Sequence, residues 1–396
     1  MTNVPNLRFK EFSGEWEGKK IRDIFSLSSG TTPSKLRSDY FNGDILWVTS
    51  GELKRKYISS TIDKISDLAL KESSLNLYPI GTFVIAIYGL EASGTRGSCG
   101  ILKKEATISQ ACMGFIPKQN VLNEFIYYWY LRHGEVIGLK YPQGTKQQNL
   151  STELVGNLNV LLPTLQEQEK IASFFSLIDK KIELQTEKVE ELKNYKKGLM
   201  QKIFSQELRF KDENGNEYPE WEECKVKDLF DVTRGVVIAK SEISDTSNDI
   251  FKYAVYSSQT SNNGILGYDQ TFDFDGNYLT WTTDGANAGR VFCRSGRFRC
   301  TNVCGVLVEK NNTIGYANKL VAEILNKETP KHVSYVGNPK LMNGVMAEIK
   351  LNIPSLEEQT KIDKLINQLD IKIESEQTKL NLLDDYKKGL LQQMFI

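Results

Sequence analysis

The chain has 396 residues, 40% of them hydrophobic, so it can form packed cores in more than one domain and is not a disordered protein. Its 50 basic residues balance its 50 acidic residues, which argues mildly against a non-specific nucleic-acid coat protein but leaves room for local positive charge. No run approaches the roughly 18 apolar residues of a membrane span, and the start has no signal-peptide core. We therefore expect a cytoplasmic protein with no membrane partner.

The cysteines fit a reducing compartment and predict no metal site. There are only six, at positions 99, 112, 224, 293, 300 and 304. Cys300 and Cys304 lie four residues apart, but no CxxC pair accompanies them, and His332 is the only histidine nearby in sequence. We interpret them as structural thiols instead of zinc ligands.

The first globular region, roughly residues 18–150, predicts a mixed α+β module. β-rich runs at 45–48 and 82–88 predict strands, and the run at 123–132 predicts a helix. Polar, glycine-containing loops interrupt these elements at 28–35, 93–97 and 143–149.

The second globular region, roughly residues 220–345, follows a polar link at 211–216. A strand is predicted at 278–281 and a helix at 316–325. Arg290, Arg294, Arg297 and Arg299 fall within ten residues that contain no acid, beside a glycine-rich stretch at 284–289.

These loops supply the candidate contacts to DNA. A glycine loop lets the backbone approach a phosphate, arginine binds phosphate or guanine edges, and asparagine can read adenine. The candidate DNA-binding residues are Ser29, Thr31, Lys35, Ser93, Thr95, Arg96, Gln143, Thr145, Lys146, Asn287, Arg290, Arg294 and Arg297. An ordinary solvated β-hairpin explains the arginine run equally well. Trp47, Trp129 and Trp281 are more typical of a core than of a base-stacking platform.

A long repeat closes each region. Residues 163–204 recur without a gap as residues 354–395, and about 19 of the 42 aligned positions are identical. Shorter matches, such as 7–10 with 208–211, extend the repeat to the whole chain. Pro163 and Pro354 stand just before the predicted helix starts, where proline is tolerated.

Both repeated segments keep a 3.5-residue period, which favours a coiled coil. The predicted seam consists of Ile171, Phe175, Ile178, Ile182, Val189, Leu192, Leu199, Ile362, Ile366, Leu369, Ile373, Leu380, Leu383 and Leu390. Polar residues occupy the same seam slots in both copies, with Lys196 matching Lys387. Each seam is the other's best match, so we expect two antiparallel helices related by a pseudo-twofold axis. The YKKGL segment, also present twice, suggests close approach of another backbone at its glycine, although common ancestry explains it equally well.

The chain lacks the motifs of a stand-alone enzyme. It has no GxxxxGK[ST] phosphate loop, no GxGxxG after a strand and no Asn-Pro-Pro-aromatic or Asp-Pro-Pro-aromatic motif of an amino-methyltransferase. With only His133 and His332, it is poorly supplied for histidine-based catalysis.

As a whole, the pattern resembles the specificity subunit of type I restriction–modification systems. The resemblance rests on the duplicated PTLQEQEKIASFF and PSLEEQTKIDKLI segments, the twin YKKGL helices, the GTFVIAIYG and SGTRG stretches, and the module-closing YPQGTKQQNLS. The second module departs from that closing pattern, because its YVGNPKLMN has no QGT.

The resemblance implies an α+β fold with two mixed α/β target-recognition domains separated by an antiparallel two-helix coiled coil. It implies domains at 1–155 and 205–348, and spacer helices at 163–204 and 354–396. Each domain would read one half of a bipartite double-stranded DNA target. The partners would be two methyltransferase subunits, which use S-adenosylmethionine, and ATP- and Mg-dependent restriction and translocase subunits. The chain itself would need no cofactor.

Two other classes share parts of this pattern. A stand-alone bipartite DNA-binding protein of the repressor kind would have both modules but would need no partner surface. A coiled-coil scaffold that binds only proteins would need the helices but no DNA-reading loops.

Overall fold

The computed structural model describes residues 3–92, 94–118, 120–142, 148–311 and 313–396. The chain divides into two compact units. Unit 1 comprises Met1–Glu187 and Thr378–Ile396, and unit 2 comprises Lys188–Gln377. Among the described residues, no helix is long and apolar enough to cross a membrane.

Unit 1 is a mixed α/β module. Its strands are β1 (Glu17–Lys20), β2 (Phe25–Ser29), β3 (Ile45–Val48), β4 (Tyr57–Ile58), β5 (Lys64–Ile65), β6 (Phe83–Ala86), β7 (Cys99–Leu102), β8 (Ala106–Ile108), β9 (Cys112–Pro117) and β10 (Asn159–Leu162). Its helices are α1 (Ile21–Ile24), α2 (Asp67–Glu72), α3 (Asn123–Lys140), α4 (Thr152–Asn157) and the first part of α5 (Leu165–Phe204). The sheets have the orders β2-β9-β6-β7-β4, β5-β3-β8 and β1-β10.

Unit 2 repeats this plan with fewer strands. They are β11 (Glu222–Lys225), β12 (Phe230–Arg234), β13 (Tyr253–Tyr256), β14 (Ile265–Asp269), β15 (Phe274–Thr282), β16 (Val291–Cys300), β17 (Cys304–Glu309) and β18 (Lys350–Ile353). The helices are α6 (Val226–Leu229), α7 (Lys319–Glu328), α8 (Asn343–Glu348) and α9 (Leu356–Met394), whose last part belongs to unit 1. The sheets have the orders β12-β17-β15-β16-β13-β14 and β11-β18. Short 3₁₀ helices in the two units span Ser38–Phe41, Ser50–Glu52, Lys240–Glu242, Ser261–Gly264 and Thr329–Lys331.

The strand pairing shows that the two modules share one topology. In unit 1, β3 lies parallel to β8 with Leu46 opposite Ala106; in unit 2, β13 lies parallel to β16 with Ala254 opposite Phe298. β7 and β8 together therefore correspond to the single strand β16. Residues 103–105 interrupt this strand in unit 1, which is why one six-stranded sheet in unit 2 appears as two sheets in unit 1.

The core of each unit forms where its longer module helix packs on the central strands. α3 packs on β6 and β7, and α7 packs on β16. Trp47, Trp129 and Trp281 are 3%, 5% and 0% exposed, which confirms their assignment to the core. Gly305 is required beneath Trp281, because an added Cβ would lie 2.3 Å from the indole ring.

The predicted helices exist, but their ends differ from the prediction. α3 continues eight residues beyond 132, to Lys140. α7 begins three residues later than predicted, because Asn318 caps it by accepting a hydrogen bond from the backbone N–H of Val321 at 2.9 Å.

The two long helices pair in antiparallel fashion inside each unit. In unit 1, Lys387 of α9 forms an ion pair of 2.6 Å with Asp179 of α5. In unit 2, Lys196 of α5 forms an ion pair of 2.7 Å with Asp370 of α9. The repeat relates these two pairs, because Asp179 matches Asp370 and Lys196 matches Lys387. Every predicted seam residue is buried or half-buried.

Candidate nucleic-acid interface

Five loops lie together in unit 2, joined by backbone hydrogen bonds such as those from Thr283 to Val303 and from Gly285 to Pro339, and five corresponding loops lie together in unit 1. We call each group a loop cluster. The unit 2 loop cluster consists of residues 235–242, 257–264, 283–290, 301–303 and 334–340. The unit 1 loop cluster consists of residues 30–37, 49–56, 87–92 with 94–98, 109–111 and 148–149.

The same backbone hydrogen bonds hold both loop clusters. In each matched pair below, the donor is an N–H and the acceptor is a carbonyl oxygen. The pairs are Gly30 to Cys112 (3.1 Å) with Gly235 to Cys304 (3.0 Å), Ser109 to Val48 (2.8 Å) with Thr301 to Tyr256 (2.9 Å), Ile87 to Ala111 (2.9 Å) with Thr283 to Val303 (3.2 Å), and Leu150 to Ile87 (2.9 Å) with Leu341 to Thr283 (2.9 Å). The loop framework is therefore set by main-chain geometry, not by particular side chains.

One glycine is needed at the same place in each loop cluster. An added Cβ on Gly30 would lie 1.9 Å from the carbonyl oxygen of Ile108, and one on Gly235 would lie 1.9 Å from that of Cys300. Each glycine comes five residues after the phenylalanine that begins β2 or β12. This shared spacing is a sequence signal for the clusters that is visible once the two modules are aligned.

The predicted unit 1 residues occupy two of these loops. Ser29, Thr31 and Lys35 are exposed at and beyond the end of β2. Thr95 is half-buried, as is Arg96, whose guanidinium donates to Glu135 and to the carbonyl oxygen of Leu90, both at 3.0 Å. Arg96 thus fastens its loop to α3. The other predicted residues of this unit, Ser93, Gln143, Thr145 and Lys146, lie outside the described residues.

The arginine run of unit 2 does not form a single surface. Arg290 is exposed on the 283–290 loop, together with Asn287. Arg294 is only 4% exposed and lies between the rings of Tyr256 and Phe292, with its guanidinium carbon 3.8 and 4.3 Å from their centroids.

Arg294 and Arg297 are engaged within the module itself. Burial lowers the pKa of Arg294. Arg297 is exposed but donates from Nε to Asp275 at 2.9 Å. Arg299 similarly binds Asp269 and Asp273. That Arg294 and Arg297 contact DNA stays a prediction.

Sequence reasoning missed two exposed segments of the unit 2 loop cluster. Asn262 and Asn263 are exposed at positive φ of 49° and 51°, in an Asn-Asn-Gly turn whose composition is a known turn signal. Tyr335 and Val336 are 68% and 93% exposed on the loop 334–340, which the sequence marked only as a departure from the first module.

The paired helices carry a second cluster of polar contacts. In unit 2, Asp370 accepts hydrogen bonds from Lys196 at 2.7 Å and from Lys319 at 2.9 Å. Burial raises the pKa of Asp370, but the two lysines outweigh it and the net shift is downward. In unit 1, Asp179 accepts from the Tyr128 hydroxyl at 2.6 Å as well as from Lys387. Each unit therefore pairs one aspartate of a long helix with the equivalent lysine of the other helix.

The described residues offer no metal centre. They contain no group of three or more histidine, cysteine, aspartate or glutamate side chains placed to hold a metal ion. The six cysteines are free thiols, and the hydrogen bond with Cys304, together with burial, raises the pKa of Cys300. Two modules with one backbone framework and different loop side chains define an internally duplicated protein.

Comparison with known proteins identifies the family. Residues 13–194 and 218–384 match the type I restriction modification DNA specificity domain, so both modules are copies of that domain and the chain belongs to this family. The chain is 42% identical over 147 residues to the type I restriction enzyme MpnII specificity subunit of Mycoplasma pneumoniae, covering 37% of this chain and 43% of that one. It is 30% identical over 241 residues to the MjaIX specificity subunit of Methanocaldococcus jannaschii, covering 58% of this chain and 55% of that one.

The fold matches as well. The crystal structure of a type I restriction–modification S subunit from M. genitalium aligns with a TM-score of 0.63 at 17% identity, over 99% of both chains. This agreement supports the fold class predicted from the resemblance.

Proposed function

We propose that this chain is the DNA-reading subunit of a type I restriction–modification complex, in which each loop cluster reads one half of a bipartite, asymmetric target. One observation carries the proposal: the two loop clusters share their backbone hydrogen bonds, while their exposed side chains differ. Ser29, Thr31 and Lys35 stand in unit 1, and Asn287 and Arg290 stand in unit 2. Equal frameworks with unlike contact residues suit two half-sites of different sequence.

The chemistry would belong to partner subunits. We propose that this chain is non-catalytic and that two methyltransferase subunits supply S-adenosylmethionine-dependent methylation. Restriction and translocase subunits would in turn supply the ATP- and Mg-dependent steps. The chain selects the site on double-stranded DNA at which the partner subunits act.

The helices offer a surface for the methyltransferase subunits. Tyr195 and Tyr386 are repeat equivalents, 60% and 58% exposed. Three residues further on, Gly198 and Gly389 would give an added Cβ no neighbour within 4 Å among the described residues. The close backbone approach expected at these glycines is therefore not made by the described part of this chain, which leaves room for a partner helix.

Replacing both glycines by alanine tests this docking surface. Each substitution should stabilise its helix by up to about 1 kcal/mol, because alanine has the higher helix propensity. If a methyltransferase subunit packs closely there, the Gly198→Ala/Gly389→Ala variant should melt at a higher temperature and yet co-purify less methyltransferase subunit. Leu36→Ala, which changes a side chain 97% exposed in unit 1, serves as the control. A higher melting temperature with unchanged co-purification would refute docking at these glycines.

Methylation mapping tests the reading function. The chain would be co-expressed with its methyltransferase subunits in a host without competing methylation, and methylated adenines would be located by sequencing. Lys35→Ala should relax recognition at one half-site, and Asn287→Ala/Arg290→Ala at the other. Lys331→Ala, which removes an exposed cation outside both loop clusters, is the control. If the unit 1 and unit 2 variants affected the same bases, the assignment of one half-site to each unit would be wrong.

A further inference from the structure

The segment 334–340 of unit 2 forms a small hairpin with an apolar tip. The backbones of Ser334 and Lys340 exchange two N–H to carbonyl hydrogen bonds of 2.9 Å. Gly337, at a φ of +75°, reverses the chain between them. Tyr335 and Val336 come directly before Gly337 in sequence and are 68% and 93% exposed. The hairpin thus presents two adjacent large apolar side chains to solvent.

The base of the hairpin is held firmly. Val333 and Leu341, directly before and after it, are 9% and 0% exposed. The backbone N–H of Gly285 donates to the carbonyl oxygen of Pro339 at 3.0 Å. Lys340 also lies 3.6 Å from the carboxylate of Asp284. The hairpin is therefore joined to the loop that carries Asn287 and Arg290, and its tip is placed by buried anchors on both sides.

The surroundings of the tip indicate what it meets. The loop to which it is joined bears the exposed guanidinium of Arg290 and the exposed amide of Asn287, groups suited to a phosphate and to a base edge. An apolar side chain beside such groups is the arrangement by which proteins wedge into a DNA base step and partly unstack it. In the closing segment of unit 1, Tyr141-Pro142 match Tyr335-Val336 and are followed by Gln-Gly-Thr-Lys-Gln at 143–147, so the Tyr-Val pair of unit 2 is not repeated there.

We propose that Tyr335 and Val336 form a wedge that enters double-stranded DNA at the half-site read by unit 2 and unstacks one base step there. The inference rests on the proposed DNA-reading function and adds to it a distortion confined to one half-site. The second module then reads the deformability of a base step as well as base edges. A flexible pyrimidine–purine step would be favoured at that position, because it unstacks at the least cost.

Base unstacking can be measured directly on the target found by methylation mapping. The full-length chain with its methyltransferase subunits would be bound to duplexes that carry 2-aminopurine at successive positions, since this base fluoresces more strongly when unstacked. We expect a several-fold rise at one step of the unit 2 half-site. Tyr335→Ala/Val336→Ala should abolish the rise and weaken binding roughly tenfold, with an unchanged slope of affinity against salt, because no phosphate contact is lost.

A matched control comes from the same unit. Ile314 is 70% exposed and follows β17 at the end of the strand away from the loop cluster. Ile314→Ala should retain the fluorescence rise and the affinity. A wild-type complex that binds its target selectively without any rise would overturn the wedge and leave the reading function standing. The wedge would also be overturned if the fluorescence rise persisted in Tyr335→Ala/Val336→Ala, or if the only defect of that variant were lost co-purification of partner subunits. Failure to find any selective target would overturn both proposals.

Discussion

Each unit contains a buried ion pair that ties its leading segment to the start of a long helix. In unit 2, Arg209 donates to Glu358 from Nε at 3.3 Å and from Nη2 at 2.8 Å. In unit 1, Arg8 donates to Glu167 at 2.8 and 2.7 Å. The side chain of Glu358 is 0% exposed and that of Arg209 is 12% exposed. The hydrogen bond to Glu358 raises the pKa of Arg209, so the guanidinium stays charged.

Replacing Arg209 by methionine should therefore cost far more than the loss of one ion pair on a surface. The variant leaves the carboxylate of Glu358 enclosed and without its guanidinium partner. Breaking a buried pair in this way costs about 3–5 kcal/mol. At roughly 2–4 °C per kcal/mol for a unit of this size, the transition of unit 2 should fall by about 6–20 °C. In the double variant Arg209→Met/Glu358→Leu most of this loss should be recovered, since no buried charge remains.

Calorimetry, with hydrogen exchange of unit 2 peptides to assign the transition, measures these effects. Arg37→Met is the control, because Arg37 binds Asp39 through two bonds of 2.9 and 2.6 Å while both side chains are about half exposed, at 47% and 48%. It should cost less than about 1 kcal/mol. The reasoning would be refuted if Arg209→Met and Arg37→Met cost the same, or if the double variant were as unstable as the sum of its single changes.

Three further predictions concern the spacer, a histidine and an arginine. Inserting four residues after both Glu187 and Gln377 adds about 6 Å of helix, so the unread gap between half-sites should grow by one or two base pairs; an unchanged gap in methylation mapping would contradict a measuring role. Burial, with the nearby charge of Arg132, lowers the pKa of His133 to about 4. Between about pH 6.5 and 4 the imidazole of His133 is therefore protonated in the unfolded chain but not in the folded one. As the pH falls over that range, unit 1 should thus lose up to about 3 kcal/mol of unfolding free energy relative to His133→Gln, as measured by denaturant unfolding. If the unfolding free energies of the two proteins changed in parallel with pH, the prediction would be contradicted. Arg290→Ala should lower the slope of log affinity against log salt by about 1, whereas Arg297→Ala should leave it unchanged because Arg297 is paired with Asp275; equal slopes for both variants would contradict the assignment.

The helices were the part of the fold most accessible from sequence. The seam consists of apolar side chains at a fixed period along each helix. Both the residue type and the period can be read in each copy of the repeat. The repeat places Lys196 and Lys387 at equivalent positions, but it does not identify their partners Asp370 and Asp179. The pairing of a lysine with a carboxylate on the other helix depends on the antiparallel register, which the period alone does not fix.

The modules were less accessible, because main-chain hydrogen bonds carry their common topology. β16 corresponds to β7 and β8, yet few side chains match between them. Nor does closeness in sequence give a common surface. Arg294 turns into the module under Tyr256, and Gly296, at a φ of +82°, disturbs the alternation of the strand before Arg297. The run of arginines in the sequence therefore predicts a larger positively charged surface than the structure has.

Within this chain the two helices are much more alike than the two modules. This contrast follows from which interactions stabilise each of them. In the helices, the seam side chains and the ion pairs of Asp179 and Asp370 hold the two helices together. A substitution at any of them therefore lowers the stability of the helix pair directly. In the loop clusters the framework is main chain, and Gly30 and Gly235 are sterically required at matching positions of it. Exposed side chains at the loop tips can then change at a cost within about 0.5 kcal/mol. Under the proposed function, new half-sites can therefore be acquired by substitution at the tips without any change in the helices.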